Sequence, residues 1–440
     1  MSKKTIVILY ESDRYAENAL SMYNHLMEMS KENEVLIFNE KIYSPFMGLQ
    51  TKNRIKICAV RNFPLLSKFY MNLRDKNSDK KINKSKIIKE KYISKYNDKK
   101  VKEDSENRVR NIILRHDPDI IICFSKLTQK LAIKEKYRLN DEKLSIVTVI
   151  AEFNLRKELV NFGSDFYIVE NEGVKKDLIE LGVEGDRIYI APMIISPGTK
   201  LIKSSDVDEK EIAFNNGHKL IYMHSGNYGY PDMKKVFNAI VEYTNGYNLI
   251  AETSGNLALE IFYKTVAKNK GAESVVICNN VDEFSMLKLC DLVICSPETQ
   301  IMTKAMSASK PMILTAPYGS LQKKNLEYAV KNGFAVDGSD VNNIINLIKD
   351  ILTKDNGLLV KNAINYLSQK SNNNYISSII ENSEHLLEEK ARSMKEQEEA
   401  RLLEEKLKKE KIDNMEEEIN EKIDKILTSN KKYRKKKGKE

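Results

Sequence analysis

A glycine-rich run, Ser225-Gly226-Asn227-Tyr228-Gly229, has the residue types that bind phosphate in many proteins. It follows the apolar, strand-like residues 220–223 and precedes a helix predicted to begin near residue 231. Glycine lets backbone N–H groups approach a phosphate closely, so Ser225, Gly226, Asn227 and Gly229 predict contact with a diphosphate. A plain turn between a strand and a helix would use the same glycines, and both interpretations stay open.

Carboxylates that follow the first predicted strand, residues 5–9, are candidates for proton transfer. Asp13 or Glu11 could act as a general base, and Arg14 could neutralise a diphosphate. An N-cap role for Ser12 or Asp13 at the start of the next helix is the favoured alternative. His224 is the one histidine beside the glycine-rich run, and a structural role is favoured for it as well.

Apolar runs alternate with predicted helices along most of the chain. Continuous apolar strands are typical of parallel sheets covered on both faces, and their alternation with helices predicts doubly wound α/β domains. Strands are predicted at 5–9, 34–38, 120–124, 145–150, 165–169, 219–223, 247–251, 274–278, 292–295 and 312–314. The pattern predicts one α/β domain over 1–195, a linker near 192–214 and a second α/β domain over 196–380.

Three charged segments have a different character. Residues 71–110 are basic and polar, which fits either a solvated loop or an amphipathic segment on an anionic bilayer. Residues 381–440 predict a charged helical or coiled-coil extension that pairs with itself or with a protein partner, although a solvated single helix remains an alternative. Its apolar seam is Ile412, Met415, Ile419, Ile423 and Ile426. The end, 431–437, is a polybasic tail that could bind acidic lipid headgroups or, nonspecifically, RNA, or could serve solvation alone.

Composition narrows the function classes. The 440 residues carry a formal net charge of +9, which predicts an anionic partner such as a nucleotide or an acidic membrane surface. Nucleic acid is disfavoured because no RNA-reading aromatic motif is present. The five cysteines have no zinc-site spacing, and the motifs of metalloproteases, P-loop NTPases and serine esterases are missing. With neither a signal peptide nor a transmembrane run, the protein is expected in the cytoplasm, peripheral to the inner face of the membrane.

The element order of Ser274 to Val336 resembles the donor-sugar half of the MurG and monogalactosyldiacylglycerol-synthase group of glycosyltransferases. That resemblance implies the GT-B fold, with two Rossmann-like domains and a ligand cleft between them. It also implies donor contacts at Gly255 and Asn256 after the second strand of this domain, and a contact near the base at Phe284, in the loop predicted after residues 276–277. Further matches are Gly319, Gln322 and Asn325, where the group binds the sugar.

Several matching positions depart from the group. Its Gly-Gly turn becomes Glu298-Thr299, and the glutamate that binds the ribose hydroxyls becomes Lys304, which cannot accept a hydrogen bond. Lys304 could instead contact the donor by pairing with a phosphate, or it could pair with an acidic group. The glycine-rich loop with histidine after the first strand is also missing. A Thr-Asp step becomes Ala151-Glu152, and Glu152 is the carboxylate favoured as general base.

The resemblance implies a UDP-sugar as donor substrate, with neither a resident cofactor nor a metal. It further implies transfer of a hexose to a membrane lipid or cell-envelope acceptor by direct displacement. Because so many chemical positions are replaced, a catalytically degenerate protein that acts as a scaffold or partner-binding module is the alternative. On the sequence alone, both hypotheses stay open, and enzymatic activity is not decided.

Overall fold

The computed structural model describes residues 3–11, 13–29, 32–39, 57–69, 72, 103–191, 214, 217–243, 246–279, 281–353, 357–368 and 375–385, with isolated positions from 388 to 408. The predicted linker up to residue 213, the basic insertion at 73–102, the coiled-coil seam and the polybasic tail lie outside these residues. The chain divides into two compact units, Met1–Tyr375 and Ile376–Glu440. In the second unit, residues 376–385 are helical.

The first sheet has six parallel strands in the order β2-β1-β3-β4-β5-β6. Strands β3, β4 and β5 are buried along their whole length, as expected for strands covered by helices on both faces. The strands are β1 (Thr5–Tyr10), β2 (Glu34–Asn39), β3 (Ile120–Cys123), β4 (Ser145–Ile150), β5 (Phe166–Val169) and β6 (Ile188–Ile190).

In the part of the chain that the structure describes, the helices beside this sheet are α1 (Asp13–Met29), α2 (Glu103–His116), α3 (Lys126–Leu139) and α4 (Glu172–Glu180). Polar side chains cap the N-termini of two of these helices. Ser125 and Thr128 form a reciprocal capping box at α3, and the Asn171 side chain accepts from the Val174 N–H at α4. Helix α2 takes up the last part of the predicted basic insertion.

The second sheet has six parallel strands in the order β12-β11-β10-β7-β8-β9. They are β7 (Lys219–His224), β8 (Tyr247–Glu252), β9 (Val275–Cys278), β10 (Leu292–Cys295), β11 (Met312–Thr315) and β12 (Val336–Gly338). The strand order reverses between β7 and β10, where His224 pairs with Cys295. In open α/β sheets, ligands bind at the carboxyl ends of the strands beside such a reversal.

Helices cover both faces of the second sheet. Successive residues along each strand therefore pack into two different hydrophobic cores, one on each face. Tyr222 packs with one face and Met223 with the other, as a strand period of two requires. The helices are α5 (Met233–Val241), α6 (Leu257–Asn269), α7 (Glu283–Leu289), α8 (Thr299–Ser307), α9 (Ser320–Lys331), α10 (Ile344–Thr353) and α11 (Gly357–Ser368). Within the described residues, none of the helices is long and apolar enough to cross a membrane.

A helical segment at 57–69, upstream of the first domain's third strand, packs on the second domain. Val60 is fully buried in the core formed by α5, α6 and α10. The Arg61 guanidinium donates to the backbone oxygens of Tyr228, Ser254 and Gly255 at 3.0, 2.9 and 2.8 Å. The segment therefore holds the two turns that follow β7 and β8.

Candidate functional site

A buried lysine joins the two domains beside the strand reversal of the second sheet. Lys304, on α8, is 4% exposed, and its Nζ lies 2.6 Å from Glu17 Oε2 on α1 and 2.5 Å from Glu283 Oε2 on α7. The Phe284 ring lies 5.7 Å from the same nitrogen. Lys304 therefore pairs with acidic groups, which the sequence left as an alternative to a phosphate.

His224, the last residue of β7, connects this ion cluster to the glycine-rich turn. Its Nδ1 accepts a hydrogen bond from the Gly226 N–H at 3.2 Å. Because a neutral imidazole has one N–H, the proton must then sit on Nε2. That atom lies 3.7 Å from Glu283 Oε1 and 3.9 Å from Glu252 Oε2, so the ring bridges the turn and two carboxylates.

The charges of the cluster shift its pKa values in directions that favour the ionised forms. Burial alone would lower the pKa of Lys304, but the carboxylates of Glu283 and Glu17 outweigh it and raise the pKa. Burial would raise the pKa of Glu283, but Lys304 and then His224 hold it well below its usual range. For His224, burial opposes protonation, yet Glu252 and Glu283 raise the pKa overall.

A metal ion fits this cluster poorly, although His224, Glu252 and Glu283 place ligand atoms within 4.8 Å of one another. A metal-bound histidine normally donates a hydrogen bond from its other ring nitrogen. His224 instead accepts at Nδ1, which keeps a proton on the nitrogen that a metal would need. Glu283 also forms an ion pair with Lys304, so its negative charge is already balanced by a cation of the chain.

The glycine-rich turn forms as the sequence predicts, and tight packing demands its glycines. Gly226 and Gly229 have φ of +78° and +63°. A Cβ on Gly226 would lie 2.8 Å from Ser296 Oγ, and one on Gly229 would lie 2.5 Å from the Thr253 oxygen. Ser225 is buried and its hydroxyl is 3.1 Å from the Tyr263 hydroxyl, so this side chain faces the core.

The second predicted turn has a clear structural role. Asn256 is the N-cap of α6, where its Oδ1 accepts from the Ala258 N–H at 3.1 Å, and its Nδ2 donates to the Gly229 oxygen at 2.7 Å. Gly255 has φ of +70°, and its N–H donates to the Asn279 oxygen at 3.1 Å. The two glycine turns are therefore tied to each other side by side.

A carboxylate that the sequence did not single out as a ligand sits on the first turn. Glu298, which follows β10, accepts from the Asn227 N–H at 2.8 Å and from the Tyr230 hydroxyl at 2.9 Å. The Ser296 hydroxyl lies 3.2 Å from the same oxygen that Asn227 contacts. The turn's donors therefore bind an anion that the chain itself supplies.

Two polar side chains of α9 hold the loops around this point. Gln322 accepts from the Tyr318 N–H at 2.6 Å and donates to the Tyr230 hydroxyl at 3.1 Å. Asn325 donates to the Pro297 oxygen at 3.1 Å and accepts from Asn154 of the first domain at 2.9 Å. Gly319, the N-cap position of α9, has an extended φ of −154°.

Of the two carboxylates predicted as general bases, Glu152 and Asp13, the structure describes the side chain of Glu152 alone. Glu152 is buried after β4, and its Oε2 accepts from the Thr299 hydroxyl at the start of α8 at 2.6 Å. It therefore lies between the domains. Asp13 is the first residue of α1, and its side chain lies outside the described part of the chain. Phe284 lies in helix α7 rather than in the preceding loop, because that helix begins at Glu283.

Sequence reasoning missed Glu17, Glu283, Glu298 and Arg61 as members of this region. Glu283 and Glu298 stand beside predicted contacts, so their position after a strand was an available signal. Nothing local marked Glu17 or Arg61, since both act on a domain formed by residues far away in the chain.

Comparisons with known proteins agree with this architecture. A family model described as monogalactosyldiacylglycerol synthase matches residues 13–193. This match and the curated relatives described next support a GT-B group similar to MurG and monogalactosyldiacylglycerol synthase. A UDP-GlcNAc 2-epimerase from Neisseria meningitidis, bound to UDP-GlcNAc, superposes with a TM-score of 0.56 at 11% identity, covering 86% of this chain and 100% of that one. This likeness shows the fold alone.

Curated relatives of the group match at the sequence level. A processive diacylglycerol beta-glucosyltransferase from Staphylococcus epidermidis is 24% identical over 267 residues, which are 58% of this chain and 64% of the relative. The enzyme of the same name from Bacillus subtilis is 22% identical over 255 residues, covering 57% of this chain and 63% of the relative. The match thus spans less than two thirds of either relative's length.

Proposed function

We propose that the protein transfers a hexose from a UDP-sugar to a membrane lipid or cell-envelope acceptor. One observation carries the proposal: the turn after β7, the turn after β8 and the start of α8 lie close together. They meet beside the strand reversal of the second sheet and face the first domain. Turns and helix starts of this kind present backbone N–H groups to anions. A non-catalytic scaffold has no support among the curated relatives, whose names denote enzymes.

The proposed reaction is a direct displacement at the anomeric carbon. The acceptor hydroxyl oxygen bonds to C1, the bond from C1 to the diphosphate oxygen breaks, and UDP leaves with that electron pair. Glu152 would take the acceptor's proton, because it is the predicted carboxylate that lies between the domains at the start of α8. Attack from the face opposite the leaving group inverts the anomeric centre.

An exposed apolar surface supports a lipid acceptor and a peripheral position on the membrane. Phe63, Leu65, Leu66 and Phe69 are 58%, 82%, 68% and 64% exposed. Arg61 anchors their segment to the second domain, so these side chains stand on a fixed support. The basic residues that follow them in the sequence would add attraction to anionic headgroups.

The test combines nucleotide binding with transfer. Calorimetric titration with UDP, and with ADP as control, should show UDP binding more tightly. Vesicles that contain diacylglycerol and an anionic lipid should then accept radiolabelled hexose from UDP-glucose or UDP-galactose. Glu152→Gln should abolish transfer while UDP binding persists. If UDP does not bind and neither sugar is transferred, the proposal is wrong.

A further inference from the structure

The phosphate-type donors of the first glycine turn already bind a carboxylate. Glu298 receives the Asn227 N–H and the Ser296 hydroxyl on Oε2, at 2.8 and 3.2 Å, and the Tyr230 hydroxyl on Oε1 at 2.9 Å. One backbone N–H and two hydroxyls are the donors that proteins offer to a phosphate oxygen. A carboxylate and a phosphate therefore compete for the same groups here.

The place of this contact in the fold is the one where α/β sheets bind ligands. Asn227 follows β7 and Glu298 follows β10, and these two strands are neighbours at the reversal of strand order. Asn227 is exposed and Glu298 is half-buried, whereas Ser296 and Tyr230 are buried, so the contact lies at the edge of the core. Because Glu298 is in part exposed to solvent, its side chain can move away from the turn.

We propose that Glu298 is an internal anion that occupies the diphosphate subsite and must be displaced before a nucleotide diphosphate can bind. This inference rests on the proposed function and adds a determinant of donor affinity to it. A diphosphate beside an ionised Glu298 would meet like charge and would find the donors taken. Donor binding is thereby linked to release of Glu298 from Asn227, Ser296 and Tyr230.

The surroundings hold Glu298 in place while the donor is absent. Tyr230 is fixed by a hydrogen bond from Gln322 at 3.1 Å and by stacking on Tyr318 with ring centroids 4.5 Å apart. Gly226 leaves no room for a side chain between the turn and Tyr230. Packing and hydrogen bonds thus hold the turn in place, and the half-buried Glu298 side chain is the part that yields to a ligand.

Calorimetric titration with inorganic pyrophosphate tests the inference. The wild type is compared with Glu298→Gln, which keeps an oxygen to accept from Asn227, and with Glu298→Ala, which empties the subsite. Both variants should bind pyrophosphate at least about tenfold more tightly, because the like charge is gone. Glu327→Gln, at an exposed ion pair on α9, is the matched control and should bind as the wild type does. Circular dichroism verifies that each variant is folded.

Equal pyrophosphate affinity in the wild type and in folded Glu298→Gln would overturn the inference. UDP separates this failure from failure of the proposed function. If pyrophosphate binding improves in the variants but UDP binds no more tightly than pyrophosphate, Glu298 is an internal anion and the nucleotide proposal fails. If UDP binds the wild type and both variants equally, the nucleotide proposal stands and Glu298 does not occupy the subsite.

Discussion

Replacing Lys304 with methionine should destabilise the protein strongly. The substitution keeps an unbranched apolar stem but removes the cation between Glu17 and Glu283, whose side chains are 15% and 17% exposed. At contact distances of 2.6 and 2.5 Å, each pair attracts by about 6 kcal/mol if the effective dielectric constant is about 20. Desolvation offsets much of this attraction, and loss of one partner of a buried pair typically costs ~3–5 kcal/mol.

Urea unfolding provides the measurement. The chain has 21 tyrosines and no tryptophan, so tyrosine fluorescence and far-ultraviolet circular dichroism are the suitable signals. Lys323→Met is the matched control, because the Lys323–Glu327 pair is exposed and its loss should change the free energy of unfolding by less than ~1 kcal/mol.

A double-mutant cycle identifies the partner. Lys304→Met combined with Glu17→Gln should cost less than the sum of the single changes, with a coupling energy of about 1–3 kcal/mol. A cost for Lys304→Met no larger than that for Lys323→Met, together with additive single effects, would refute the claim that the buried ion cluster joins the domains.

Three further predictions concern the turn, its clamp and acid stability. Gly226→Ala should lower the free energy of unfolding by well over ~1 kcal/mol, and Gly271→Ala should lower it by about 1 kcal/mol. Both glycines have positive φ, but only Gly226 lacks space for a Cβ. Thermal unfolding of the two variants measures the difference. Arg61→Lys should raise the hydrogen-exchange rate of segment 57–69, because an ammonium cannot reach three backbone oxygens at once; unchanged exchange contradicts this role. Burial would raise the pKa of Glu283, but Lys304 outweighs burial and lowers this pKa. The stabilisation from the ionised Glu283 is therefore fully present above the unfolded pKa of about 4.3, and it is lost as the pH falls toward the lower pKa of the folded state. The difference in urea midpoint between wild type and Lys304→Met should therefore shrink on acidification.

The sequence by itself determined the two α/β domains and most strand positions. Continuous apolar runs such as 120–123 and 292–295 are buried on both sides only in a parallel sheet covered by helices, so local composition was enough. The glycine-rich turn was also predictable from local sequence, because the positive φ of Gly226 and Gly229 favours glycine whatever surrounds it.

Tertiary structure alone decided which side chains meet. Strand order in the sheet places β10 beside β7, and that adjacency brings Glu298 to the Asn227 N–H. Docking of α1 against α8 brings Glu17 to Lys304. Hydrophobic patterning specifies which face of an element is buried but carries no information on which distant element covers it. The partners of Lys304 and Glu298, and with them the electrostatics of the site, therefore follow from topology and domain packing.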